Sequence, residues 1–309
     1  MGKTAILALA GAAALIGAYI RSEYEKSHFS AETYRISLKN YHGEEKTLVF
    51  LSDLHSNCFG EGNQKLLDAI HQIHPDAVLV GGDMMITDRR ACDSDTRVAE
   101  QLILALAARY PVYYGDGNHE SRLREHPERY KTAYADYRKK LEAAGVRFLN
   151  GKDRANIGDS ISVAGVSLPE RYYKKRGPEH LEPGYLQEEL GIPSKDQVQI
   201  LLAHNPLFFK DYQNWGADIA LSGHFHGGTI RLPFLGGVMR NNFSFFPFCG
   251  GCFEKRENIL WSAVGWHHSI NIRFHNLPHV AVIKLRKNGR KRITGCGKCH
   301  LHRISSLLY

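Results

Sequence analysis

From Tyr34 onward, short and wholly apolar runs alternate with stretches in which apolar side chains recur every three or four positions. The runs Thr47–Leu51, Ala77–Val80, Val112–Tyr114, Ile161–Val166, Val198–Ala203, Ile219–Leu221 and Val280–Leu285 predict strands. Several are apolar at successive rather than alternate positions, so they are expected to be covered on both faces. The spacing over Asn63–Ile73, Thr96–Arg109 and Ala133–Ala144 predicts helices with one buried side. This order is that of an α/β fold with a mixed sheet. No internal repeat is visible, and no Pro/Gly/Ser-rich linker interrupts residues 28–288, which are expected to form one catalytic-sized domain.

The amino-terminal pattern is different. Thr4 to Ile20 are seventeen residues without a charge, bounded by Lys3 and Arg21. At about 1.5 Å per helical residue this is about 26 Å, near the shortest length that crosses a bilayer. A cleaved signal peptide and a buried helix are the rival readings. Tyr19, Ile20 and Arg21 stand where a small-x-small cleavage site would be needed, so residues 1–27 are expected to be an uncleaved single-pass membrane anchor with a juxtamembrane linker. Basic residues flank both ends, which leaves the side of the membrane open.

Composition narrows the class. The 309 residues are 43% hydrophobic and 23% charged with six Cys, which excludes a disordered, collagen-like or disulfide-stapled chain. Forty Lys and Arg exceed 32 Asp and Glu, but the whole excess lies between Lys284 and Tyr309, where there is no acid. The body is therefore balanced, and no specific nucleic-acid partner is indicated. Residues 289–309 are expected to be a basic tail that either contacts anionic lipid or is simply solvated.

Candidate chemistry gathers at the ends of the apolar runs. Leu51 is followed by Ser52-Asp53-Leu54-His55, Val80 by Gly81-Gly82-Asp83, and Tyr114 by Gly115-Asp116-Gly117-Asn118-His119-Glu120. Ala203 is followed by His204, and Leu221 by Ser222-Gly223-His224-Phe225-His226. Ligands in open α/β sheets bind beyond the carboxyl ends of strands, so these five ends are expected to meet in one crevice. Two carboxylates, one amide oxygen and four imidazoles are too many for one ion with an open position. They suit two divalent ions, with manganese the first expectation and iron or zinc the alternatives. Asp83 is the natural bridge between them, since two glycines before it let backbone approach closely.

These blocks resemble the calcineurin-like metallophosphoesterase superfamily, whose pattern D-x-H, G-D, G-N-H-[DE], H and G-H-x-H covers residues 46 to 285 of this chain. Ser52 to His55, Gly227 to Pro233, Arg273 and Leu277-Pro278 resemble the membrane-associated bacterial YkuE/YaeI-like subgroup. Two departures are His279, where the subgroup usually has Glu, and the aromatic stretch Phe243–Phe248. The resemblance implies a four-layer α/β/β/α sandwich and a dinuclear-metal phosphoesterase. It implies Asp53, His55 and His226 on one ion, Asn118, His204 and His224 on the other, and Asp83 shared. Water held between the ions would attack phosphorus, and His119 would donate a proton to the leaving oxygen or stabilise it, partnered by Asp83 or a neighbouring carboxylate.

The expected substrate is a phosphodiester or a pyrophosphate-linked lipid or cell-envelope precursor, with a phosphomonoester as the alternative. Two readings from other classes are a metal-binding scaffold without catalysis and a polyanion-binding membrane protein. The aromatic stretch is expected either in the core or as an apolar lip for an amphiphilic substrate. Cys249/Cys252 and Cys296/Cys299 with His300 are C-x-x-C pairs, read first as ordinary thiols, with a zinc site, disulfides or haem attachment as rivals. Cys58, just past the Asp53-Leu54-His55 block, is expected either behind the metal ligands or in packing.

Overall fold

The structure, a computed structural model, describes residues 2–38, 40–88, 93–174, 177–228 and 273–287, with strand segments at 230–232, 236–238, 245–246, 251–255, 258–262, 292–295 and 302–303. Two seven-stranded mixed sheets carry the fold. The first runs Arg292–Gly295, Ser30–Leu38, His279–Lys287, Lys46–Leu51, Ala77–Val80, Val112–Tyr114, Arg147–Phe148. The second runs His302–Arg303, Gly251–Lys255, Asn258–Ser262, Ile219–Ser222, Val198–Ala203, Ile161–Val166, Gly151–Ile157. Within each sheet the central strands are parallel: Lys46–Leu51, Ala77–Val80 and Val112–Tyr114 in one, and Ile161–Val166, Val198–Ala203 and Ile219–Ser222 in the other.

Period-two alternation explains the layers. Leu48, Phe50, Ala77 and Leu79 point inward to meet Ile161, Val163, Ile200, Leu202, Ile219 and Leu221 of the other sheet. Val49, Leu51, Val78, Val80, Val112 and Tyr114 point outward under the helices Gln64–Ile73, Arg97–Ala107, Asn118–Glu125 and Ala133–Ala143. Ala164, Val166, Leu201 and Ala203 do the same under Tyr185–Leu190 and Phe209–Trp215. The result is the expected α/β/β/α order, and it accounts for strands apolar on both faces.

The expected strands and helices are present, with ends shifted by two residues or fewer. Ser30–Leu38 is an addition: Glu32 and Arg35 interrupt its apolar run, yet Tyr34, Ile36 and Leu38 enter the inter-sheet core. Its outer neighbour is Arg292–Gly295, a short strand from the basic segment, with Tyr34 opposite Gly295. Phe245–Phe246 forms a short strand paired with Gly237 and Val238. The rest of the aromatic stretch, Cys249, Cys296, Cys299 and His300 lie outside the described residues. Cys252 is buried in the inter-sheet core, whereas Cys58 is exposed, contrary to the packing alternative.

Among the described residues one helix, Lys3–Ser27, is long and apolar enough to cross a membrane. Ile6, Leu7, Leu9, Leu15, Ile16 and Ile20 are all exposed on it. Only near its carboxyl end does it meet the body, where Ser22 and Glu25, three residues apart on one face, are buried.

Candidate metal centre

Parallel strands within a sheet end on the same side, so the carboxyl ends of Lys46–Leu51, Ala77–Val80 and Val112–Tyr114 deliver Asp53, Asp83 and Asn118 to one edge. Val198–Ala203 and Ile219–Ser222 of the second sheet deliver His204, His224 and His226 to the same place. The loops are tied together directly: Asp53 N donates to Gly82 O, His55 N to Asp83 O, and Gly223 N to His204 O. They are also tightly bent. Asp53, His55, Asp83, His224 and His226 all have positive φ, between 48° and 72°. Each such residue costs about 1–2 kcal/mol, a strain typical of functional loops that the surrounding fold over-determines. Gly223 is required by the same crowding, because a Cβ there would stand 2.3 Å from Asp53 Oδ2.

All seven residues expected to bind metal meet in this crevice. Asp53, His55 and His226 have ligand atoms within 4.8 Å of one another, and so do Asp83, His204 and His224; a third such set is His55, Asp83 and His119. Asn118 Oδ1 lies 2.7 Å from His224 Nδ1. His204 Nε2 is 3.2 Å from Asp83 Oδ2 and 3.7 Å from Asp53 Oδ1. His55 Nε2 is 3.7 Å from Asp83 Oδ2, and His226 Nε2 is 3.7 Å from Asp53 Oδ1. Donors bound about 2.1 Å from a shared ion sit about 3.0–3.4 Å apart, so the crevice is close to ion-binding dimensions.

The donor chemistry fits a cation. His204 Nδ1–H donates to Gly81 O at 2.7 Å, which turns the Nε2 lone pair onto the two carboxylates. Three lone pairs face each other there, and fully buried Asp53 Oδ2 has no hydrogen-bond partner. A bound cation satisfies such a set, and in the metal-free protein a second proton on His204 Nε2 serves instead. Burial disfavours the charged imidazole of His204, yet Asp83 and Asp53 raise its pKa to about 10. Burial also raises Asp53 to about 7, while Asp83 is held well below its ordinary value by His204, His119 and His55 against its own burial. Burial, reinforced by His204, lowers His224 to about 3, leaving a neutral ring suited to ligation.

Supporting contacts were not evident in the sequence. Glu120, fully buried, accepts from Asp83 N (2.8 Å), Gly117 N (3.0 Å), Met84 N (3.1 Å) and Tyr114 Oη (2.7 Å). It therefore ties the loop of Asp83 to the helix that begins at Asn118. His119 N donates to Asp83 Oδ1. The His119 ring takes Thr87 as a hydrogen-bond partner in addition to facing Asp83: Nδ1 accepts from Thr87 N at 2.8 Å and lies 2.8 Å from Thr87 Oγ1. Arg122 Nη1 donates to that hydroxyl oxygen. Nδ1 is thus an acceptor, and neutral His119 carries its proton on Nε2, 4.0 Å from Asp83 Oδ2. Tyr173 packs edge-on to His224, ring centroids 5.0 Å apart. Behind His226, Asn276 Nδ2 donates to the His226 and Gly228 carbonyls, and Arg273 Nη2 lies 3.4 Å from His226 O.

Residues 46–228 match the family model described as calcineurin-like phosphoesterase. YpbG, an uncharacterized protein of Bacillus subtilis (strain 168), is 26% identical over 73% of this chain and 78% of its own length. YkuE, an uncharacterized metallophosphoesterase of the same bacterium, is 26% identical over 90% of this chain and 93% of its own. The phosphodiesterase YaeI of Escherichia coli (strain K12) is 24% identical over 84% of this chain and 90% of its own.

Proposed function

The chain belongs to the calcineurin-like phosphoesterase family and is a metal-dependent phosphoric ester hydrolase; from that premise we propose that it is a membrane-anchored, two-metal enzyme acting on a phosphodiester or a pyrophosphate-linked lipid or cell-envelope substrate. The observation that carries this reading is the convergence of two carboxylates, four imidazoles and an amide from both sheets on one buried crevice. Asp53, His55 and His226 would hold one ion and Asn118, His204 and His224 the other, with Asp83 between them. Ions held there supply Lewis acidity: they lower the pKa of an attacking water and neutralise charge growing on the phosphoryl oxygens. Manganese suits this mixed oxygen and nitrogen set best, with iron and zinc as alternatives.

His119 would face the leaving oxygen with Nε2–H. A second proton on Nδ1 would break the bond from Thr87 N, so His119 acts as a neutral hydrogen-bond donor rather than a proton reservoir. Catalysis is assigned to residues 28–288, anchoring to 1–27 and polyanion contact to the basic tail. The membrane reading is supported by the apolar face that Lys3–Ser27 leaves exposed and by its base lying near His226.

The test is hydrolysis by the full chain in detergent micelles with Mn²⁺. Faster cleavage of bis-p-nitrophenyl phosphate than of p-nitrophenyl phosphate supports a diesterase. Monoester preference redirects the search to phosphatases, and no turnover with two ions bound overturns the catalytic reading.

A further inference from the structure

A carboxylate withdrawn from water is costly unless its oxygens are used. Glu25 is fully buried, and both of its oxygens are engaged: Oε1 accepts from Arg21 Nε at 2.6 Å and Oε2 from Asn276 N at 2.9 Å. One turn earlier, Ser22 Oγ accepts from Arg273 N at 3.0 Å. The helix thereby grips the segment 273–276, which is itself bent, with His275 at φ 54°. The same segment reaches the crevice from its other side. Asn276 Nδ2 donates 3.0 Å to His226 O and also to Gly228 O. Asn276 is 1% exposed and Arg273 2%, so neither can substitute water for these partners. His226 stands at φ 53°, a conformation that needs outside support.

We propose that Glu25 and Ser22 are positioning residues for His226, which makes the base of the N-terminal helix part of the scaffold of the metal centre. This rests on the reading of His226 as a metal ligand. The load passes from the Glu25 carboxylate to the Asn276 backbone, through its side-chain amide, to the His226 carbonyl. Outer contacts of this kind fix ligand orientation, and losing one costs about 10–100-fold in metal affinity. A cut in the chain after Glu25 would leave the fold's sheets whole and the His226 loop unsupported.

The experiment is Mn²⁺ titration of the full chain in detergent micelles, with the metal-free melting temperature measured alongside. Glu25→Ala is expected to weaken one of two sites about 10–100-fold and leave the other unchanged. Asn276→Ala should weaken the same site, and the double variant should lose no more than the worse single one. Glu25→Gln, which keeps an acceptor for Asn276 N, should recover most of the affinity. Glu23→Ala, which removes an exposed pair with Lys26, should change neither site. Wild-type affinity at both sites in Glu25→Ala overturns the proposal. Equal weakening of both sites with a lowered metal-free melting temperature also overturns it, because that is ordinary helix docking. Should Glu25→Ala fail to fold, Ser22→Ala decides: a smaller loss at the same site supports the proposal, and no loss overturns it. His226→Ala must itself lose one ion; if both remain, the ligand reading fails and the proposal falls with it.

Discussion

Replacing Glu120 with Gln tests whether an anionic cap holds the centre together. Oε2 accepts from Asp83 N and Gly117 N, and Oε1 from Met84 N and Tyr114 Oη. An amide has one oxygen, so it can serve only one of these pairs. With its oxygen toward Asp83 and Gly117, its nitrogen meets the Met84 N–H and Tyr114. Tyr114 can turn to accept, but the Met84 N–H is left buried without an acceptor, at about 1–3 kcal/mol. Loss of the charge from the two remaining bonds adds about 1 kcal/mol. The expected total, about 2–4 kcal/mol, lowers the melting temperature by roughly 5–10 °C for a domain of this size. Because Asp83 is the proposed bridge between two ions, affinity at both should fall together. Circular-dichroism melts and Mn²⁺ titration of the full chain read these two effects. An unchanged melting temperature and unchanged affinity would mean that Glu120 is protonated and donates to Tyr114. That outcome refutes the anionic cap, and it is a real alternative for metal-free protein, where burial, Asp83 and Asp116 raise Glu120 to about 7.

Asp83→Asn should lower affinity for both ions by at least about 100-fold and abolish most turnover, measured by metal analysis after dialysis. His119→Ala should keep both ions and lose about 10²–10³ in kcat with alkyl leaving groups, and less with p-nitrophenolate, which needs little stabilisation. Loss of metal in that variant would refute the role given to His119. Metal-free protein should become less stable as pH rises, modestly below about 6.5, where His224, lowered to about 3, works the other way, and more steeply above it. Asp53 and Glu120 have folded pKa values raised to about 7 from 3.8 and 4.5, so stability falls as pH climbs through that interval, and His204, raised from 6.5 to about 10, extends the fall. Asp83, depressed, loses its contribution only below 3.8. Saturating Mn²⁺ should cancel the loss near neutral pH, since the ions take the place of the protons; melting temperatures from pH 5 to 9 with and without metal check the sign.

The convergence of the seven candidate ligands was readable from sequence because each sits within a few residues of the end of an apolar run. Asp53-Leu54-His55 and His224-Phe225-His226 need only a strand and the turn after it, and apolarity on both strand faces already implied layers on either side. Local pattern failed where a strand was one-sided and charged, as in Ser30–Leu38, whose Glu32 and Arg35 hid a register that pairing with His279–Lys287 and Arg292–Gly295 defines. It also failed for several long-range contacts that orient the candidate ligands. Thr87 and His119 are 32 positions apart, Asp83 and Glu120 are 37, and Glu25 and Asn276 are 251. Sequence by itself determined which side chains could bind metal and that they stand at strand ends. Tertiary structure alone decided the tautomer of His119, the cap on the Asp83 loop and the helix base behind His226. Periodicity records which face of an element is buried, whereas a hydrogen bond between distant segments depends on how finished layers are placed against each other.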